Sequence, residues 1–272
     1  MTFKLDHIVH FVKSPEEALE KFKTRGLHAV EGGKHENLGT YNALSYFGLS
    51  YIELIGLFDK QLTDSGAGIK YSLRDTFRND HYVDGLSRIA LRTTDIEAEA
   101  ERFRNLGLEV NGPDAMNRIR PDGSLVSWKL LYVGDPSENL ELPFFIQWDE
   151  GDEERQEDLT NRGIISDHST GNVKIASVGF TVHNLEETVE KWSNYLGLDS
   201  GEIFVDESLN ANAQKLRLPG VDLIFYSPNG EGIVAKTLDN RGEKPFLVNF
   251  EGANQEAEFQ IFDATYRFSK YI

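Results

Sequence analysis

Cysteine is absent from these 272 residues, which excludes disulfides, thiolate metal sites and a cysteine nucleophile together. Basic residues are few beside acidic ones, 28 Lys and Arg against 45 Asp and Glu. The formal charge of -17 leaves no basic face for phosphates, so neither nucleic acid nor an anionic membrane surface is expected as a partner. No apolar run approaches the roughly 20 residues a membrane span needs. The opening MTFKLDHIVHFV lacks the long apolar core of a signal peptide, and a cytoplasmic protein is expected. A phosphate loop, GxGxxG after a strand, HExxH and GxSxG are also missing.

What is present suffices for a packed core: 39% of residues are hydrophobic and 11% aromatic, which argues against disorder. The stretch Gly39 to Gly56 reads as two strands joined by a tight turn at Phe47-Gly48-Leu49. Its second strand carries Glu53 among Tyr51, Ile52, Leu54 and Ile55. A carboxylate there is costly to bury without a cation, a metal or several donors, so a partner is expected from another strand.

A unit of strand, capped helix and glycine occurs three times. Leu5 to Val12 is followed by Ser14 as cap, Pro15 at the first helical position and Glu17 to complete a capping box. Arg88 to Asp95 and Ser177 to Asn184 repeat the pattern, with Gly26, Gly107 and Gly197 ending the three helices. His7 to Ser14, Arg88 to Asp95 and Ser177 to Asn184 are each seven residues apart, which indicates an internal repeat. Hairpin-like segments follow each helix, including turns at Pro121-Asp122-Gly123 and Pro219-Gly220, so the unit is βαβββ. Phe58 to Gly85 reads as a polar insertion with a helix around Ile69 to Phe77. Asp149 to Asp158, DEGDEERQED, reads as a solvated acidic linker or helix and the best domain boundary. The tail, with strand-like pieces at Phe246 to Phe250 and Glu258 to Phe262 and no further capped helix, reads as a reduced fourth unit.

LDHIVHFV, GTYN and YIEL in the first unit, with SRIALRTTD and PFFIQW in the second, resemble the glyoxalase-like domain proteins of the vicinal oxygen chelate superfamily, over roughly Leu5 to Leu198. The resemblance implies an α+β fold of repeated βαβββ units, paired into half-open mixed β-sheet barrels with helices outside. The expected division is 1–149 as a domain of two units (1–57 and 86–149, with the insertion 58–85), 150–172 as linker and loop, and 173–272 as a third unit plus a reduced fourth. It also implies a small-molecule cavity and often one divalent metal, held by the first and last strands of each unit. Carried over by position, the first unit offers His7 and Glu53, suited to metal ligation or proton transfer. The second offers Arg88, which cannot ligate a metal, and Gln147, which can through its amide oxygen. The third offers Ser177 and Phe225.

Three readings follow. One is a metal-dependent lyase, isomerase or dioxygenase using His7, Glu53 and Gln147 as ligands and His7 or Glu53 in catalysis. Another is a metal-free binding or sequestering protein in which Arg88 pairs with Glu53 or an anionic ligand and Asn42 and Gln147 contact it. The third is a scaffold whose sheets serve a homodimer. His10 is expected on the opposite face of the strand from His7, Trp148 and Phe145 in the core, His168 in a solvated loop, and Gly32-Gly33 in a turn.

Overall fold

The structure is a computed structural model that describes residues 3–65, 68–120 and 123–270. The first unit runs β1 (Lys4–Phe11), α1 (Pro15–Thr24), β2 (Val30–His35), β3 (Thr40–Phe47) and β4 (Ser50–Leu57). The second runs β5 (Gly85–Arg92), α4 (Ile96–Asn105), β6 (Glu109–Ile119), β7 (Leu125–Gly134) and β8 (Phe144–Trp148), after two short helices, α2 (Lys60–Ser65) and α3 (Leu73–Asn79). These eight strands form one sheet in the order β2-β3-β4-β1-β5-β8-β7-β6. Within each unit the first strand pairs in parallel with the last, and β1 meets β5 antiparallel, joining the units. The two edge strands come back toward each other, since the Arg118 guanidinium of β6 donates to the Gly32 carbonyl of β2 at 3.1 Å. The sheet is a half-closed barrel.

The second sheet repeats this construction. It contains β9 (Gly171–Thr181), β10 (Phe204–Asp206), β11 (Ala211–Leu218), β12 (Val221–Pro228), β13 (Pro245–Ala253), β14 (Ala257–Ile261) and β15 (Ala264–Phe268), in the order β10-β11-β12-β9-β13-β15-β14. Helix α6 (Leu185–Leu196) belongs to the third unit, and α7 (Ile233–Arg241) precedes β13. The fourth unit has strands but no helix of its own after β13, and β15 extends it beyond the two pieces expected from the sequence. α7 was not anticipated because no side chain caps it; Gly232 stands at the cap position. Its Val234 packs with Ala213, Ile224, Tyr226 and Leu247, filling the face that in the first sheet stays open.

The repeated helices form where local chemistry favours them. Ser14, Asp95 and Asn184 each accept a hydrogen bond from the backbone N–H three residues on, satisfying donors that the first helical turn leaves free. Gly26, Gly107 and Gly197 take φ of +77°, +83° and +64°, the left-handed conformation that glycine adopts without a Cβ clash. Pro121 and Asp122 of the expected turn lie outside the described residues; around them Arg120 N–H donates to the Ser124 carbonyl. The main core joins both sheets: Phe22 of α1, Phe103 of α4 and Trp192 of α6 are fully buried in one cluster with Phe250 and Tyr266. His10 leaves β1 toward this layer, as the alternation of a strand requires, and bonds to Tyr266. Among the described residues no helix is long and apolar enough to cross a membrane.

Candidate functional site

The open face of the first sheet encloses a cavity of about 490 Å³, walled by Tyr46, Tyr51, Trp128, Phe144 and Trp148 with aliphatic residues between them. Such a mainly apolar concavity with few polar groups is the usual form of a small-molecule site. Among those polar groups, the buried His7, Asn42 and Glu53 come from β1, β3 and β4. β1 has a register shift against β5 between Leu5 and His7. Adjacent residues of a regular strand point to opposite faces, and a bulge re-aims them. Here Asp6 and His7 meet: Asp6 Oδ1 lies 2.8 Å from His7 Nδ1. An acceptor-only carboxylate at this distance assigns the proton to Nδ1 and leaves the Nε2 lone pair free.

His7 Nε2 lies 3.6 Å from Glu53 Oε2, and Glu53 Oε1 accepts a 2.6 Å hydrogen bond from Asn42 Nδ2. His7, Glu53 and Asn42 are 5%, 7% and 7% exposed, so the group is held away from bulk solvent while lining the cavity. Asn42 Oδ1 has no hydrogen-bond partner, and a Cβ at residue 32 would come within 2.0 Å of it. Gly32 is therefore required for Asn42 to sit where it does. The Gly32-Gly33 pair is not a turn; it lies inside β2 at a register shift between Glu31 and Gly33.

Asp6 is fully buried. Burial alone would raise its pKa, but the charge of Arg155 and the donors on His7 and Trp148 outweigh burial and hold the carboxyl below its ordinary value. Trp148 Nε1 donates to Asp6 Oδ2 at 2.9 Å, and Arg155 Nη1 stands 3.7 Å from the same oxygen. Arg155 belongs to helix α5 (Asp152–Asn161), in the stretch read from sequence as a solvated acidic linker or helix; it is a helix, but not a wholly solvated one. One face of that helix is buried: Arg155 and Leu159, one turn apart, enter the cavity, while the acidic residues Glu153, Glu154 and Glu157 face solvent. His35 also lines the cavity; burial lowers its pKa, against the opposing charge of Glu53.

Two of the residues singled out from sequence go elsewhere. Strand register shows that Val9 stands opposite Glu53 and Ala90 opposite Phe144, so the second-unit counterpart of Glu53 is Phe144. Gln147 lies three residues further on, and its Oε1 accepts from the Ile96 N–H at 2.8 Å, fixing the start of α4. Arg88 makes no pair with Glu53: its guanidinium donates to the backbone carbonyls of Leu142 and Tyr71 and lies over the Phe144 ring. The same register makes Ile224, not Phe225, the third-unit counterpart of Glu53. Phe145 is core, whereas Trp148 lines the cavity. His168 is not a free loop histidine; it accepts from the His28 N–H, donates to the Tyr46 carbonyl and stacks on Phe47.

The four positions at which this architecture presents metal ligands thus hold His7, Glu53, Arg88 and Phe144. Only two are donors, and among the described residues no group of three His, Cys, Asp or Glu is placed to hold an ion. That set falls short of the three protein ligands usual for a catalytic divalent metal.

Sequence reasoning missed Asp6 because strict alternation would point it away from the cavity. Arg155 was missed because the acidic composition of its neighbours masked one basic and one apolar residue at helical spacing.

Comparison with known proteins agrees with this architecture. None of the curated proteins compared with the chain matches it. A hypothetical protein from Staphylococcus aureus is 26% identical, with a TM-score of 0.80 over 99% of this chain and 100% of that one. A mutant 4-hydroxymandelate synthase from Streptomyces coelicolor shares the fold at 11% identity and a TM-score of 0.57, over 92% of this chain and 71% of that one. A fusion of a xylose isomerase-like TIM barrel with 4-hydroxyphenylpyruvate dioxygenase does so at 15% identity and 0.52, over 91% of this chain and 36% of that one. The family profile described as glyoxalase-like domain matches residues 5–196, and with paired βαβββ units around one cavity the chain belongs to that family, within the vicinal oxygen chelate superfamily.

Proposed function

We propose that this chain is an enzyme of proton transfer on a small oxygenated molecule, of the isomerase or lyase type, with His7 as the acid–base group and Asp6 and Glu53 on either side of it. The observation that carries this reading is the buried sequence Asp6, His7, Glu53, Asn42 along the cavity wall. Asp6 accepts from Nδ1 and thereby turns the basic Nε2 toward the cavity. A proton taken up at Nε2 produces an imidazolium between two carboxylates, and both stabilise it. Glu53 stays oriented because Asn42 donates to its other oxygen. The aromatic walls keep water from the transferred proton. General acid–base action of this kind contributes about 10²–10⁴-fold.

Deuterium exchange tests it. Small carbonyl compounds and 2-substituted acids are incubated with the protein in D₂O, and loss of C–H signal is followed by NMR. Exchange that falls by about 10²-fold or more in His7→Gln supports His7 as the base. Binding of the same compounds without exchange in the wild type would favour the alternative, a sequestering protein.

The donor set supports the same reading for metal. Purified protein is expected to carry well below one equivalent of any divalent ion, and dialysis against EDTA should leave exchange unchanged. A stoichiometric ion that is lost in His7→Ala would overturn this and return the site to metal-dependent chemistry.

A further inference from the structure

We infer that Arg155 is the anion anchor of the cavity, and that the ligand it takes is a carboxylate on a compact apolar or aromatic body. Arg155 is 3% exposed and lines the cavity, yet neither Nη1 nor Nη2 has a hydrogen-bond partner. Buried guanidinium groups without hydrogen bonds are costly, because the desolvated N–H donors recover nothing. The neighbouring groups do not remove the deficit. Asp6 directs its two oxygens to His7 and Trp148 and stays 3.7 Å from Nη1, close enough for attraction and too far for a hydrogen bond. The Tyr46 hydroxyl lies beside the guanidinium without hydrogen-bond geometry. Trp148 stacks on the group with 4.0 Å between the guanidinium carbon and the ring centroid, which holds the fork in one plane.

A planar, fixed fork with two free N–H edges matches a carboxylate, which accepts both in parallel. Of the other cavity arginines, Arg118 is engaged with the Gly32 carbonyl and Arg120 with Asp158 at 3.1 Å, while Arg74 of α3 is only half-buried and keeps access to solvent, so the uncompensated desolvation falls on Arg155. The rest of the wall selects the body of the ligand, since Tyr46, Tyr51, Phe144 and Trp128 offer ring faces and edges. Arg155 and His7 are both neighbours of Asp6, so a carboxylate on the first brings its adjacent carbon toward the second. This deepens the proton-transfer reading by naming the substrate class. It rests on that reading for the cavity, but not on His7 being the base.

The test is calorimetric titration of the full chain with 3-phenylpropionate, hexanoate and the primary amide of each. The carboxylates are expected to bind and the amides to bind at least about tenfold more weakly. Arg155→Gln should weaken carboxylate binding about 30-fold or more, and Arg155→Lys should restore part of it. If Arg155→Gln fails to fold with Asp6 left unopposed, the pair Asp6→Asn with Arg155→Gln keeps the charge balance and is titrated instead. No binding of either carboxylate, equal binding of acid and amide, or wild-type affinity in the Arg155 variants would each overturn the assignment. Carboxylate binding through Arg155 without deuterium exchange would remove the catalytic reading and leave the anchor standing.

Discussion

Acidification from pH 6.5 to 3 is expected to destabilise the fold by about 4 kcal/mol through His10 alone. His10 is completely buried between β1 and β15, and burial lowers its pKa from 6.5 to about 3, helped by the nearby charge of Arg241 and opposed by the bond to Phe262. Its ring is satisfied as the neutral form: Nε2 donates to the Phe262 carbonyl at 3.1 Å, and Nδ1 accepts from the Tyr266 hydroxyl at 2.6 Å. A depressed folded-state pKa means that the unfolded chain binds the proton first. The stability is therefore fully present above pH 6.5 and is lost progressively as pH falls toward 3. Between pH 6 and 4 the slope from this residue approaches about 1.4 kcal/mol per pH unit. Urea unfolding at several pH values should show that slope in the wild type and a correspondingly flatter one in His10→Gln. Equal slopes in the two proteins would mean that His10 does not stay neutral in the folded state.

Asp6→Ala should be the most damaging single change at the cavity, lowering stability by about 3–5 kcal/mol at neutral pH. The carboxylate is fully buried, accepts from His7 and Trp148 and faces Arg155. Truncation leaves a buried guanidinium without its counter-charge and two buried donors without an acceptor. Asp6→Asn keeps the shape and one acceptor, so a smaller loss of about 1–3 kcal/mol is expected. Its effect on His7 is more specific. An amide NH₂ facing Nδ1 asks that nitrogen to accept, which moves the ring proton to Nε2 and withdraws the base from the cavity. Long-range ¹H–¹⁵N spectra should show Nδ1–H in the wild type and Nε2–H in Asp6→Asn. An Asp6→Ala protein within about 1 kcal/mol of wild type would show that the Asp6–Arg155 attraction contributes little.

The expected acid behaviour and the expected Asp6 defect both concern residues whose importance is invisible in a linear pattern. His10 looks like an ordinary strand histidine until β15, some 250 residues away in the chain, closes over it. Gln147 illustrates the converse. The match of Phe145-Ile146-Gln147 to Tyr51-Ile52-Glu53 follows residue similarity, yet hydrogen-bond register places Phe144 opposite Ala90 and so at the metal position. A displacement of three residues also reverses the face, because side chains alternate along a strand.

The sequence by itself determined the repeated βαβββ unit, since caps, helix-ending glycines and strand alternation are local signals that each segment carries with it. It also pointed to a buried carboxylate in the first unit, through Glu53 in an otherwise apolar strand. Only the tertiary structure decided what that carboxylate meets. The bulge that turns Asp6 onto His7, the register that replaces Gln147 with Phe144, and the helix that carries Arg155 back across the barrel all depend on contacts between segments far apart in the chain. Such contacts are selected by packing over the whole core, and no short window of residues encodes them.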